Sequence, residues 1–224
     1  MIEKVRIVAT LGPKTNSKLI INEFVLAGVN IFRLNGSHNT LSWHQKTIKR
    51  LQKIAPNIPI LMDIPGKKIR TLMLKNEPSF KIGDEIILTT DLNAGSGKVK
   101  VGYNQLHKDL CKGDVVLADD GTLKFYVKKI INKDIYLIAE TEGTLRSRKG
   151  INVPNIELNM PLVTNDDKEM VQFCKKNKVD FIGISFVESK KHVEKIKKLI
   201  NPDTYPRIIS KVENKKGLYN CEEI

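Results

Sequence analysis

The chain has 224 residues, which at roughly 150 residues per domain allows one or two domains. Apolar residues make up 41% and charged residues 28%, ordinary values that exclude wholesale disorder and a fibrous repeat. No apolar run approaches the roughly 18 residues needed to span a bilayer. Lys and Arg number 38 against 25 Asp and Glu, leaving a net charge of +13. Such an excess points to an anionic partner: nucleic acid, an anionic membrane or a phosphorylated small molecule. Aromatics are only 6% and do not interleave with the lysines, so nucleic acid is disfavoured and solvated helix faces explain most of the charge. Cys111, Cys174 and Cys221 are odd in number and far apart, which speaks against a disulfide framework or a zinc site. With no secretory signal visible in MIEKVRIVATLG, a cytoplasmic setting is expected.

In chain order, Val5–Leu11 is a short β-branched run ending at Gly12-Pro13 and reads as a buried strand. Asn16-Ser17 caps a predicted helix whose apolar positions Leu19, Ile20, Phe24 and Leu26 lead to Gly28. Val29–Leu34 is the next strand. Ser42–Ile54 is a basic amphipathic helix with Trp43, Ile48, Leu51 and Ile54 on one side. Ile58–Ile64 is a third strand, stopped by Pro65-Gly66. Strands spaced by helices of 10–15 residues predict βαβ units and a parallel sheet.

From Thr71 to Gly150 no helical period stands out. Phe80–Thr90, Lys98–Tyr103, Val115–Ala118, Leu123–Ile131 and Ile135–Glu140 read as strands separated by Gly, Asp and Asn turns. This predicts a small all-β, barrel-like domain inserted into the βα series. The βα pattern resumes with Thr164-Asn165-Asp166-Asp167 capping a helix to about Asn177, a strand at Asp180–Val187, a Lys-rich helix from Ser189 to about Ile200, and a strand at Arg207–Glu213. The expected fold is α/β: residues 1–70 and 151–224 form about five βα units of a (β/α)8 barrel, and residues 71–150 form the insertion. Five strands are about half of such a barrel. Their two edges are expected to be covered by a second copy or another chain.

Sites in parallel α/β folds form at strand C-terminal ends. Here those ends carry Arg33, Asn35, Ser37, His38, Asp63, Lys211 and Glu213. Arg offers a planar fork for phosphate oxygens, Lys a point charge, and carboxylates can hold Mg²⁺. Each residue also has a plainer reading. Arg33 and Asp63 could form a structural bridge; His38 could be a cap or surface residue; Lys211 and Glu213, two apart, could be a simple ion pair. Asp119-Asp120-Gly121 alone is most often a hairpin turn.

The order of motifs resembles the pyruvate kinase family. Ile7–Pro13 (IVATLGP) is similar to its first barrel strand. Arg33–His38 (RLNGSH) resembles RLNFSH and Asp63–Arg70 (DIPGKKIR) resembles DLQGPKIR. Asp119-Asp120-Gly121 matches a DDG of its inserted lid, and Lys149–Pro154 (KGINVP) is similar to KGVNLP. Ile184–Val187 (ISFV) resembles ASFV and Ile209–Gly217 (ISKVENKKG) resembles ISKIENxEG. The resemblance implies phosphoryl transfer from phosphoenolpyruvate to ADP, giving pyruvate and ATP in glycolysis. Arg33 would hold the transferring phosphate and Lys211 would stabilise charge on the phosphoryl group and enolate. Glu213 would ligate Mg²⁺ or Mn²⁺. Asn35, Ser37, Asp63 and the Ile64 carbonyl would form a monovalent-cation pocket. His38 and Arg70 would meet the nucleotide phosphates, with Lys149, Asp119 and Asp120 approaching from the lid.

The departures carry expectations of their own. Gly36 replaces the usual Phe, and Glu188 stands where the family commonly has Arg. Lys68 takes the place of a Glu found in K⁺-dependent members, so its ammonium is expected to make K⁺ unnecessary. No GDLG segment, the family's second metal carboxylate, occurs in the chain. Little or no kinase activity is therefore expected from these 224 residues alone. The alternatives are a non-catalytic relative that binds a phosphometabolite or a partner chain and, more remotely, a basic nucleic-acid-binding module.

Overall fold

A computed structural model describes residues 5–154, 156–200 and 206–224. The chain opens with β1 (Val8–Leu11), α1 (Lys18–Leu26), β2 (Ile31–Asn35), α2 (Leu41–Ile54) and β3 (Ile60–Ile64). There follow β4 (Ile69–Arg70), β5 (Ser79–Phe80), β6 (Glu85–Thr89), β7 (Val99–Lys100) and a single turn of helix, α3 (Leu106–Asp109). Next come β8 (Val115–Ala118), β9 (Leu123–Ile131), β10 (Asp134–Ala139), β11 (Gly143–Thr144) and β12 (Gly150–Asn152). The last elements are α4 (Asn165–Lys176), β13 (Phe181–Ile184), α5 (Lys190–Lys197), β14 (Arg207–Ser210) and α6 (Lys215–Tyr219). These elements fall into two compact units, residues 1–67 with 161–224, and residues 68–160. Each has its own apolar core.

In the first unit five parallel strands lie in the order β1-β2-β3-β13-β14. The order never reverses, as in the staves of a barrel and unlike a doubly wound sheet. β3 is buried along its whole length, which is why it reads as an unbroken apolar run apart from Asp63. α2 shows how the helices cover the sheet. The Thr40 side chain caps it by accepting from the Trp43 amide at 3.2 Å, and His44, Thr47, Ile48 and Leu51 form its buried stripe. Lys46, Lys49 and Lys53 lie on the exposed side. α4 begins with a capping box in which Thr164 and Asp167 satisfy each other's backbone. Ser189 occupies the N-cap of α5 without a capping hydrogen bond from its side chain.

Two local expectations need correction here. The last strand ends at Ser210 rather than Glu213: the neighbouring segment leaves extended geometry at Phe186 (φ +53°), and the last bonds between the two run from the Lys211 amide to Ile184 and from the Val187 amide to Lys211. α6, too short to show a period, follows at once under an Asn214 cap.

The second unit is a seven-stranded sheet ordered β4-β12-β8-β9-β10-β6-β7, antiparallel except for β6–β7. Its two ends meet. Thr71 bridges Val101, the Leu72 amide donates to the Lys100 carbonyl at 2.9 Å, and Gly102 donates to Arg70 at 2.9 Å. The sheet thus closes on itself and leaves neither end strand unpaired along its length. Phe125, Val127, Ile135, Leu137, Val116 and Leu88 fill it. Ile156, Leu158 and Met160 pack on this core too, which carries the unit to residue 160 rather than 150. The run 80–90 is two strands, broken where Gly83 (φ +91°) turns the chain. Of the run 98–103 only Val99–Lys100 is regular strand.

Candidate functional site

The polar residues at the strand ends of the first unit form one connected series of contacts. At its centre is Asp63 on β3, 3% exposed. Arg33 on β2 donates to Asp63 Oδ2 through Nε (2.8 Å) and Nη2 (2.5 Å), and Lys211 Nζ reaches the same oxygen at 3.1 Å. Arg33 Nη1 donates to Thr10 Oγ1 on β1 at 2.9 Å. Lys211 is also 3.5 Å from Glu213 Oε1, and Glu213 Oε2 accepts the Phe186 amide at 3.1 Å. All five strands therefore contribute: Thr10, Arg33, Asp63, the turn after β13, and the Lys211–Glu213 pair after β14.

The geometry follows from the sheet register. Asp63 lies beside Asn35 on one flank and Gly183 on the other. A Cβ at Gly183 would stand 2.3 Å from Asp63 Oδ1, so only glycine leaves room for the carboxylate. Oδ1 is buried with no hydrogen-bond partner among the described residues, while Oδ2 takes both cations. The side chains of Arg33 and Lys211 are 31% and 26% exposed, so the cations reach solvent from a buried anchor. Among the described residues, Arg33 uses three of its five N–H groups in this way. The remainder of the fork and the ammonium can meet an incoming anion such as a phosphate.

Asn35, Ser37 and His38 form a tight turn. The Ser37 amide donates to Asn35 Oδ1 at 3.0 Å, the His38 amide to the Asn35 carbonyl at 3.1 Å, and the Gly36 amide to the Asp63 carbonyl at 2.9 Å. A Cβ on Gly36 would lie 2.5 Å from that carbonyl oxygen, which accounts for glycine at this position. The Ile64 carbonyl accepts Ser185 Oγ at 2.7 Å. His38 is exposed, and its carbonyl meets His44 Nε2 at 2.8 Å. Burial pulls the His44 imidazole below its ordinary value, against that bond.

A divalent cation asks for about six oxygen ligands. Glu213 offers one carboxylate, and Asp63 is already shared by two cations. Among the described residues no three His, Cys, Asp or Glu converge on a possible metal position. Among the described residues, Glu213 supplies one carboxylate toward such a site.

The second unit gathers Lys68, Arg70, Asp119, Asp120 and Lys149. Asp119 and Asp120 hold φ of +50° and +55°, and the Gly121 amide closes the turn onto the Ala118 carbonyl at 3.1 Å. Gly121 follows at φ +90°, so three successive residues at positive φ reverse the chain between β8 and β9. Both acids are paired, Asp119 with Lys149 at 2.6 Å and Asp120 with Lys68 at 3.1 Å. The Lys68 bond holds the Asp120 carboxyl below its usual value. Burial lowers Arg70, opposed by Asp120, and its Nη1 donates to the Arg148 carbonyl at 3.2 Å.

Four contributors were not among the expected site residues. Thr10, Gly183, Ser185 and Phe186 join through contacts between distant segments. The bulky Phe186 at positive φ is a position where no glycine advertises the turn.

A five-stave parallel sheet whose rim joins Arg33 and Lys211 to the buried Asp63 carboxylate has the architecture of part of a βα-barrel. The family model for the pyruvate kinase barrel domain matches residues 2–224. The chain is 35% identical to pyruvate kinase of Clostridium perfringens over 231 residues, covering 99% of this chain and 49% of that protein. It is 33% identical to pyruvate kinase of Borreliella burgdorferi (100% and 48%) and 32% identical to that of Thermococcus litoralis (99% and 48%). The chain belongs to the pyruvate kinase family. It spans about half the length of the curated relatives it matches.

Proposed function

We propose that this chain carries the phosphoenolpyruvate-binding part of a pyruvate kinase site. The observation that carries this reading is the convergence of Arg33 and Lys211 on one buried oxygen of Asp63. Phosphoryl transfer depends on positioning and charge neutralisation more than on covalent chemistry by the protein. In the proposed reaction the bond from phosphorus to the enol oxygen of phosphoenolpyruvate breaks. A bond forms to a terminal phosphate oxygen of ADP. Arg33 holds the phosphoryl oxygens with the part of its fork that Asp63 and Thr10 leave over. Lys211 faces the charge that grows on the enolate oxygen. Asp63 keeps both cations in place without neutralising their exposed edges. His38, Arg70, Lys149, Asp119 and Asp120 are assigned to the nucleotide. Asn35, Ser37, Asp63 and the Ile64 carbonyl are assigned to a monovalent cation, with Lys68 removing the need for K⁺. The setting is cytoplasmic, with the outermost strands covered by a second copy or another chain.

One observation favours a second reading, binding without turnover: Glu213 is a single carboxylate where a divalent ion needs several donors. Titration calorimetry with phosphoenolpyruvate, beside a coupled assay for pyruvate, tests both. Arg33→Ala and Lys211→Ala are each expected to weaken binding about tenfold or more, since hydrogen bonds to charged groups contribute about 1.5–3 kcal/mol. Added KCl is expected to leave the affinity unchanged. Equal affinity in both variants, or no binding by the parent chain, overturns the assignment. Robust turnover lost in Lys211→Ala overturns the second reading alone. No membrane association enters either reading: among the described residues no helix is long and apolar enough to cross a membrane.

A further inference from the structure

A second group of ionisable side chains lies in the first unit where the chain runs out of β3. Lys67 Nζ meets both carboxylate oxygens of Glu188, at 3.2 and 3.3 Å, with the two side chains only 9% and 17% exposed. One residue earlier, the Gly66 amide donates to Asp167 Oδ1 at 3.0 Å. The other oxygen of Asp167 holds the Thr164 amide and hydroxyl at the start of α4. Gly66 is itself pressed on the Ser185 carbonyl, 2.4 Å from where a Cβ would be. The exit segment Pro65–Lys67 is thus tied down by two carboxylates.

His192, in the first turn of α5 four residues after Glu188, is 1% exposed, and neither ring nitrogen has a hydrogen-bond partner among the described residues. Asp167 of α4 and Glu188 ahead of α5 favour its charged form, while Lys67 at the β3 exit and Lys195 of α5 oppose it. A neutral buried imidazole in this position leaves one donor and one acceptor unmet, at about 1–3 kcal/mol each. An imidazolium would instead present two donors to two carboxylates that already have other partners.

We propose that His192 is a proton-operated release for the β3 exit: its protonation draws Glu188 and Asp167 toward the ring, and so away from Lys67 and the Gly66 amide. The inference does not depend on the catalytic reading above. Its sign follows from linkage. Burial lowers the His192 pKa from 6.5 in the closed arrangement, so the closed arrangement binds a proton less readily than a loosened one. The latch is at full strength above pH 6.5 and weakens as pH falls below it.

Hydrogen exchange at the Gly66 amide, corrected for intrinsic rates and taken at about pH 7.5 and about pH 5.5, tests this on the whole chain. Protection is expected to fall about tenfold, as when an open form rises from about 1% to about 10%. The fall is expected to vanish in His192→Gln. A parent chain that keeps its protection, or a His192→Gln variant that loses it equally, overturns the proposal. Should the variant fail to fold, the ring titration of His192 in the parent chain decides by NMR. A midpoint below 6.5 that coincides with the loss of protection supports the latch, and a midpoint at or above 6.5, or loss at another pH, overturns it.

Discussion

The two units solve the same problem in opposite ways. Residues 68–160 form a sheet whose ends are joined through Thr71 and Val101, and their 15 basic and 12 acidic residues leave a charge of +3. The first unit keeps β1 and β14 as outermost strands and carries 23 basic and 13 acidic residues, a charge of +10. The closed unit is held by its apolar interior and short turns. The open one places its charged groups at strand ends and on helix faces, and threads its rim together through a single carboxylate. The difference teaches where the excess charge of the chain resides: with the open unit.

Separate unfolding of the two units would sharpen this contrast. The one tryptophan, Trp43, lies in the first unit, while three of the five tyrosines, Tyr103, Tyr126 and Tyr136, belong to the second. Tryptophan fluorescence and tyrosine or far-ultraviolet signals can therefore be followed against urea in parallel. The largest effect is expected from Phe125→Ala. Phe125 is fully buried with its ring centroid 5.1 Å from that of Phe80, and its loss should remove about 3–5 kcal/mol from the second unit. The Trp43 transition should stay in place; movement of both together would mean that the units do not unfold separately. Asp63→Asn comes next. It takes the charge from the oxygen that holds Arg33 and Lys211, which are partly exposed and can rehydrate. A loss of about 1–3 kcal/mol is expected in the Trp43 transition alone. An unchanged midpoint would show that the rim contributes nothing to holding the open sheet. Asp120→Asn should do least. Its side chain is 81% exposed, so its pair with Lys68 is screened and worth under about 1 kcal/mol. A larger loss in the second unit would make the turn part of that unit's stability.

Elements with a clear period or a long buried run were legible in the sequence. β3 reads directly from ILMDI and α2 from its spaced apolar residues. β4, β11, β12, α3 and α6 have two to five residues each and carry no pattern to read. At the rim, Arg33, Asp63, Lys211 and Glu213 were legible because polar residues ending apolar strands stand out. Their wiring was not, since the Lys211–Asp63 contact spans 148 positions. The bridge between Arg33 and Asp63 and the ion pair of Lys211 with Glu213 both form. They belong to one network rather than two isolated pairs. His192 stayed hidden inside a helix that reads as solvated lysines, because nothing in that pattern marks it as a residue only 1% exposed.

The pairing of β4 with β12 bears on how the chain assembles. Ile69 and Ile151, near the two ends of the inserted unit, face each other on adjacent antiparallel strands. β3 and β13 must also find each other, with Ile64 beside Ile184 across the whole insertion. For an unstructured chain the entropy of closing so long a loop delays that encounter, growing as about (3/2)RT ln n. Once residues 68–160 have folded, their own entry and exit strands have already met. The closure that remains runs over residues 65–68 and 153–180 rather than over the whole insertion, so the folded insertion shortens the search that the parallel sheet must make.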